Sequence, residues 1–157
     1  MKTKFRTYDG AVKAPRTGTT VGGYAAVFDE ITDLGTFYES IAPGAFDEAD
    51  MSDVRLLYNH DGVPLARTKS GTLTVYLDER GLKYVAALSE TEYANQIADA
   101  ARRGDISQSS FAFTIAAQRW TEHNGKAHRI IEKVGAVTDV SPVAFPAYSG
   151  TEFHATE

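Results

Sequence analysis

Asn124-Gly125 lies between two long strand-like runs, Ser110 to Trp120 and Ala127 to Val134. Asn-Gly is favoured in two-residue β-hairpin turns, because such turns need positive φ at both central positions. The sequence therefore predicts a long antiparallel hairpin in the C-terminal half of the chain, and with it a fold built mainly from strands.

Shorter strand-like runs separated by turn sequences continue this pattern toward the N-terminus. They are Val21 to Phe28, Phe37 to Ile41, Val54 to Tyr58, Leu73 to Leu77 and Leu82 to Leu88. One segment differs: Ser89-Glu90-Thr91-Glu92 matches a capping box, and apolar residues then recur at helical spacing as far as Gly104. We expect a single well-defined helix there, within a β-rich α+β fold.

Composition limits the classes of function that remain open. The chain has 157 residues, 43% of them hydrophobic, which is enough for one core. A formal net charge of -5 gives little support to nucleic-acid binding. The absence of cysteine excludes disulfides, a thiolate nucleophile and a zinc-thiolate site.

We expect neither a signal peptide nor a membrane-spanning segment in this sequence. Met1 to Arg16 is basic but lacks the apolar run of a signal peptide, and no later segment reaches membrane-spanning length. We expect a soluble protein without membrane association, with one domain at residues 1–148 and a flexible C-terminal tail at residues 149–157.

His60 is the histidine best placed for chemistry, because it follows the run Val54 to Tyr58 in a turn-forming cluster. An imidazole held there could act as a general base, although it could also serve only to hold the turn. The other histidines are expected to be solvated loop or tail residues: His123, His128 and His154.

Three serines, Ser107, Ser109 and Ser110, lie between the predicted helix and the following strand. They are either polar residues of a connection or the source of a nucleophilic hydroxyl with backbone N–H groups nearby to bind an oxyanion.

Asp139 lies in an otherwise apolar stretch, where an unpaired carboxylate would be costly to bury. We expect it to pair with an arginine, a backbone turn or His60. A metal site made of His60, Asp61 and Asp139 is conceivable, but no paired-ligand spacing supports it, and we expect neither a metal nor a cofactor.

Five ordered blocks of the chain resemble the prohead protease family of tailed bacteriophages, serine peptidases that share the herpesvirus assemblin fold. The blocks are Gly23 to Phe28, Glu39 to Phe46, Leu57 to Asp61, Gly104 to Phe113 and Asp139 to Val143. The match runs over nearly the whole chain, and the blocks follow one another in a consistent order.

The resemblance implies roles for particular residues. The histidine of the Asn-His-Asp block is His60, and the resemblance implies that it is the base. The serine before Phe111-Ala112-Phe113 is Ser110, and the resemblance implies that it is the nucleophile, with Ser109 as the second candidate. Asp139 is implied as the third triad member. Arg67 is implied as support for the oxyanion, with a surface ion pair as the alternative.

The resemblance also implies a closed or nearly closed β-barrel flanked by a few helices, of the herpesvirus-protease type. It implies an endopeptidase that cleaves scaffolding and capsid-protein propeptide segments, and its own chain, inside the assembling procapsid in the bacterial cytoplasm. Phage capsid and scaffolding proteins would then be its partners, together with further copies of itself. The alternative is a non-enzymatic capsid-assembly or scaffolding module with the same barrel.

Overall fold

The computed structural model describes residues 18–156, and in this range the chain forms ten strands and one α-helix, α1 (Glu92–Arg103). The strands are β1 (Thr20–Val27), β2 (Thr32–Asp33), β3 (Tyr38–Ile41), β4 (Arg55–Tyr58), β5 (Asp61–Arg67), β6 (Leu73–Leu77), β7 (Gly81–Ala87), β8 (Gln108–His123), β9 (Lys126–Val143) and β10 (His154–Thr156). The β-rich prediction with few helices is confirmed.

The predicted C-terminal hairpin is present and longer than expected. β8 and β9 pair antiparallel over almost their full lengths, and the turn residues Asn124 and Gly125 have φ of 50° and 78°. On its other side β9 pairs parallel with β3 near Tyr38–Ile41 and with β4 near Arg55 and Leu56. This strand therefore links parts of the chain that are far apart in sequence.

Among the described residues, the strands form two sheets that do not close into a barrel, so the predicted barrel is not confirmed. The first sheet has the order β10-β1-β7-β6; the second has the order β2-β3-β9-β4-β5, with β8 also paired to β9. Single hydrogen bonds link segments of the two sheets: Asp29 N–H, after β1, donates to Ile41 O of β3 at 2.9 Å, and Phe153 N–H, before β10, donates to Ser107 O, before β8, at 2.8 Å. These isolated bonds do not amount to a continuous ladder.

The helix α1 begins later than the capping-box pattern predicts. Thr91 is the N-cap and its hydroxyl accepts a hydrogen bond from Ala94 N at 3.2 Å, so Ser89 lies outside the helix. Gly104 ends the helix in the left-handed conformation, as expected from its position after Arg102 and Arg103. No helix in the described part of the chain is long and apolar enough to cross a membrane.

The structure differs from the expected flexible tail after Tyr148. Residues 154–156 form β10 on the edge of β1, and the side chain of Phe153 is only 3% exposed. Thr151 is also buried, and its hydroxyl accepts a hydrogen bond from Ser109 N at 3.1 Å. Apolar burial and edge pairing order a segment that looks featureless in sequence.

Candidate active site

His60 occupies a strained turn between β4 and β5. Tyr58 pairs with Asp61, which leaves Asn59 and His60 as a two-residue hairpin loop, and their φ values are 52° and 60°. Two positive φ angles define the type I′ turn, where the second residue is usually glycine. Asn59 also ties this turn to the end of β9, because its N–H donates to Pro142 O and its Oδ1 accepts from Ala144 N, both at 3.0 Å.

Asp139 lies directly against His60. His60 Nδ1 and Asp139 Oδ1 are 2.6 Å apart, and the side chains are 37% and 10% exposed, respectively. The same Oδ1 accepts a hydrogen bond from Ser141 Oγ at 2.7 Å. A neutral imidazole that donates from Nδ1 to a carboxylate keeps its lone pair on Nε2, which is the arrangement a general base requires.

Ser110 lies on the same face of the sheet as Asp139. In the β8–β9 register Ser110 is opposite Ser141 and Ala112 is opposite Asp139. Alternate residues of a strand share a face, so Ser110 is a diagonal neighbour of Asp139. The intervening pair, Phe111 and Val140, faces the other way and is buried in the core.

The hydroxyl of Ser110 makes no hydrogen bond to His60 in this structure; within residues 18–156, the hydrogen bond that His60 makes through its ring is the one to Asp139. Ser110 is half-buried. The sheet therefore places the three predicted residues on one face with the acid and the base joined and the serine separate from them.

The second candidate nucleophile, Ser109, is fully buried and its hydroxyl is already engaged. Ser109 Oγ donates to Glu152 O at 2.8 Å and accepts from Tyr84 Oη at 2.6 Å. Burial raises the pKa of Tyr84, so its phenol stays protonated and able to donate. Ser109 thus anchors the start of β8, and its hydroxyl points away from the face that carries Ser110.

Arg67 forms the surface ion pair that was the alternative to an oxyanion role. Its Nε and Nη2 donate to the two carboxylate oxygens of Asp53 at 2.8 and 2.9 Å. The hydrogen bonds from Arg67 lower the pKa of Asp53 to about 2 and raise the pKa of Arg67. Arg55 lies between Arg67 and Asp139 in the strand register, and its Nη1 is 3.3 Å from Asp53.

Ser141 and Arg55 are neighbours of the site that the sequence analysis did not identify. Ser141 follows Asp139 by two residues, the spacing that puts two side chains on one face of a strand, so that signal was available. Nothing local marks Arg55, because its position beside Asp139 depends on the parallel pairing of β4 with β9.

The expectation that the remaining histidines are solvated is wrong for His128. This residue is 6% exposed, and its Nε2 is 2.8 Å from Ser40 Oγ. It is buried because β9 begins at Lys126 and pairs with β3 from His128 onward. His123 is half-buried against the Tyr38 ring at a centroid distance of 4.9 Å, whereas His154 is exposed on β10.

Within the described range, no three His, Asp or Glu side chains are gathered closely enough to hold a metal ion, so Asp61 does not join His60 and Asp139 in such a set.

In comparisons with known proteins, a family model described as caudovirus prohead serine protease matches residues 8–157. No curated protein and no solved structure matches the chain.

Proposed function

Because the chain belongs to the caudovirus prohead serine protease family, we propose that it is a serine endopeptidase with Ser110 as nucleophile, His60 as general base and Asp139 as the group that orients His60. The observation that carries this proposal is the 2.6 Å contact between His60 Nδ1 and Asp139 Oδ1. It joins residues 79 positions apart, and the histidine occupies a turn position that glycine would fill more easily.

In the proposed mechanism, His60 Nε2 accepts the proton of Ser110 Oγ while that oxygen attacks the carbonyl carbon of the scissile peptide bond. Asp139 stabilises the imidazolium that forms and does not itself take the proton. His60 then protonates the leaving amine, which leaves an acyl group on Ser110, and water releases this group by the reverse sequence.

This chemistry requires the Ser110 hydroxyl to approach His60 Nε2. Catalytic hydrogen bonds are often long or poorly aligned in a free enzyme and tighten when substrate binds. Substrate binding next to β8 is the step that would bring the two groups together, since His60 is already held by Asp139 and by the turn.

Backbone N–H groups near Ser110 are proposed as donors to the oxyanion, with an arginine as support. Arg67 remains a candidate, although its guanidinium is held by Asp53. Arg55 lies one strand from Asp139 and Arg67 lies two strands away, so Arg55 is the nearer of the two arginines.

The proposed substrates are the scaffolding protein, the propeptide segment of the capsid protein, and the protease's own chain. Cleavage would occur inside the assembling procapsid in the bacterial cytoplasm, and the protease would associate with itself there. The family to which the chain belongs, described as prohead serine proteases, supports this choice of substrates.

The two candidate serines give a matched test of the nucleophile. We expect Ser110→Ala to abolish cleavage of the capsid precursor and to leave the fold intact, because the Ser110 hydroxyl makes no hydrogen bond to the described residues and the backbone pairing with Ser141 is kept. Ser109→Ala should lower thermal stability, since it leaves Tyr84 Oη and Glu152 O without a partner, but should keep measurable cleavage. Intact-mass spectrometry of each variant with the precursor reads both results; unchanged cleavage by Ser110→Ala would contradict the assignment.

A non-enzymatic assembly module with the same fold is the competing function. It predicts that the wild-type protein binds the capsid precursor without changing its mass, and that a serine-directed phosphonate does not label it. We expect cleavage, labelling of Ser110 by the phosphonate and no effect of a metal chelator.

A further inference from the structure

A mainly apolar groove of about 290 Å³ opens between α1 and the ends of β4 and β9. Its apolar and aromatic lining comprises Tyr58, Tyr93, Ile97, Ala100, Ile106 and Ala144. Its size is at the lower end for pockets that bind small ligands, so it can accommodate one or two side chains and not a folded element.

Three of the segments that line the groove also carry the proposed triad. Tyr58 precedes His60 by two residues, Ile106 precedes Ser110 by four, and Ala144 follows Asp139 by five. An extended chain spans at most about 3.6 Å per residue, so the corresponding Cα atoms lie within about 7, 14 and 18 Å. A peptide bound at Ser110 can therefore reach the groove with a residue within about five positions of its scissile bond.

Two exposed apolar side chains follow residues that lie at the groove. Phe145 follows the lining residue Ala144 and is 94% exposed, and Val63, on the edge strand β5, follows Gly62, which lies near the Tyr93 hydroxyl, and is 73% exposed. Large apolar side chains that remain exposed beside a concave apolar surface are typical of a surface that a ligand covers. The surface covered by a bound ligand would then extend from the groove toward β5, the strand that follows His60.

The charges around the groove favour an apolar occupant over a basic one. Asp105 is the acidic residue of the lining, and its Oδ2 lies 3.3 Å from Arg103 Nε, so its charge is already paired. The remaining polar groups of the lining are neutral: the amide of Gln96 and the hydroxyls of Tyr58 and Tyr93. Among the lining residues, a buried lysine or arginine of the substrate would find only the Asp105 carboxylate, which already pairs with Arg103.

From this placement we infer that the groove is a specificity subsite for one large apolar side chain of the peptide substrate, such as leucine, methionine or phenylalanine. The inference rests on the proposed endopeptidase function, since the occupant is the peptide held at Ser110. The residues that determine the preference are then Tyr58 and Ile106 on the sheet side and Ile97 on the helix side.

Neighbouring positions on α1 provide a matched pair of variants. Gln96 and Asn95 are both exposed, but Gln96 lines the groove and Asn95 does not. Gln96→Trp fills the groove from the helix, whereas Asn95→Trp adds the same side chain elsewhere on the helix. Ala144→Trp fills the groove from the opposite wall and guards against an effect peculiar to one substitution.

The substrate probe is a proteome-derived peptide library, with the cleaved bonds identified by mass spectrometry. We expect the wild-type protein to enrich a large apolar residue at one position within five residues of the cleaved bond. Replacing that residue by alanine in a single test peptide should lower kcat/KM by about tenfold or more. Gln96→Trp and Ala144→Trp should remove most of this discrimination, and Asn95→Trp should retain it.

Labelling with a small phosphonate that has no peptide portion distinguishes a failure of the proposed function from a failure of the subsite inference. If the wild-type protein is neither labelled at Ser110 nor able to cleave any peptide, the proposed function is wrong and the subsite falls with it. If it is labelled and cleaves peptides without an apolar preference, or if Gln96→Trp and Asn95→Trp behave alike, only the subsite inference is overturned.

Discussion

At the residue scale, the strongest local constraint lies on His60. Its φ of 60°, next to 52° at Asn59, places a bulky residue where a hairpin turn normally uses glycine. Non-glycine residues in this region cost roughly 1–3 kcal/mol and persist where the surrounding structure holds them. Here the hydrogen bond to Asp139 and the two backbone bonds of Asn59 hold the turn.

Replacing His60 by glycine and by alanine separates backbone strain from catalysis. We expect His60→Gly to be more stable than His60→Ala by about 1 kcal/mol, because only glycine adopts positive φ without penalty. Both variants should lose at least about 10³-fold in peptide cleavage, since the base is gone. Urea unfolding measures the first difference; equal stability of the two variants would contradict the strain argument.

Asp139→Asn tests the orienting group with little change in shape. We expect kcat to fall by roughly 10³- to 10⁴-fold, because an amide nitrogen next to His60 Nδ1 disfavours the tautomer that keeps the lone pair on Nε2. The fold should stay intact, with far-UV circular dichroism like that of the wild type. A variant as active as the wild type would remove Asp139 from the triad.

At the element scale, the C-terminal segment stabilises the strand that presents Ser110. Phe153 N–H bonds Ser107 O, Thr151 Oγ1 accepts from Ser109 N, and Gln108 Nε2 donates to Ser149 O at 2.7 Å. The three-residue β10 has no alternating pattern long enough to be recognised in sequence. The helix and the long hairpin were predictable because caps, turn residues and periodicity are local signals.

Two phenylalanines allow a matched test of this segment. Phe153→Ala should lower the free energy of unfolding by about 3–5 kcal/mol, because it leaves a cavity in the core between the sheets. The same substitution at Phe145, which is 94% exposed, should change it by less than about 0.5 kcal/mol. Denaturant unfolding measures both free energies. If Phe153→Ala changed the free energy of unfolding as little as Phe145→Ala, residues 149–156 would not stabilise the fold.

At the scale of the whole molecule, β9 determines which distant residues meet. Its C-terminal half brings Asp139 to β4 and β8, and its N-terminal half buries His128 against Ser40 of β3. Burial, followed by the nearby His123 and Arg119, lowers the pKa of His128. Protonation of His128 therefore favours the unfolded state over the folded one.

The direction of the pH effect follows from that lowered pKa. As pH falls below about 6.5, His128 takes up a proton in the unfolded chain before it does so in the folded protein, so stability decreases until the pH passes below the folded pKa. His128→Gln should show a smaller loss of thermal stability between pH 7.5 and pH 5. His154→Gln, at an exposed histidine, is the control and should behave like the wild type.

The sequence by itself determined the features that depend on neighbouring residues: the hairpin at Asn124-Gly125, the helix that ends at Gly104 and the turn that holds His60. Its ordered blocks also pointed to the family and to Ser110, His60 and Asp139. Only the tertiary structure decided that Ser109 is engaged in the core while Ser110 shares a sheet face with Asp139, that His128 is buried, that the two sheets do not close into a barrel and that residues 154–156 form a strand. Each of these depends on contacts between segments far apart in the chain, and no local pattern encodes the energy of such contacts.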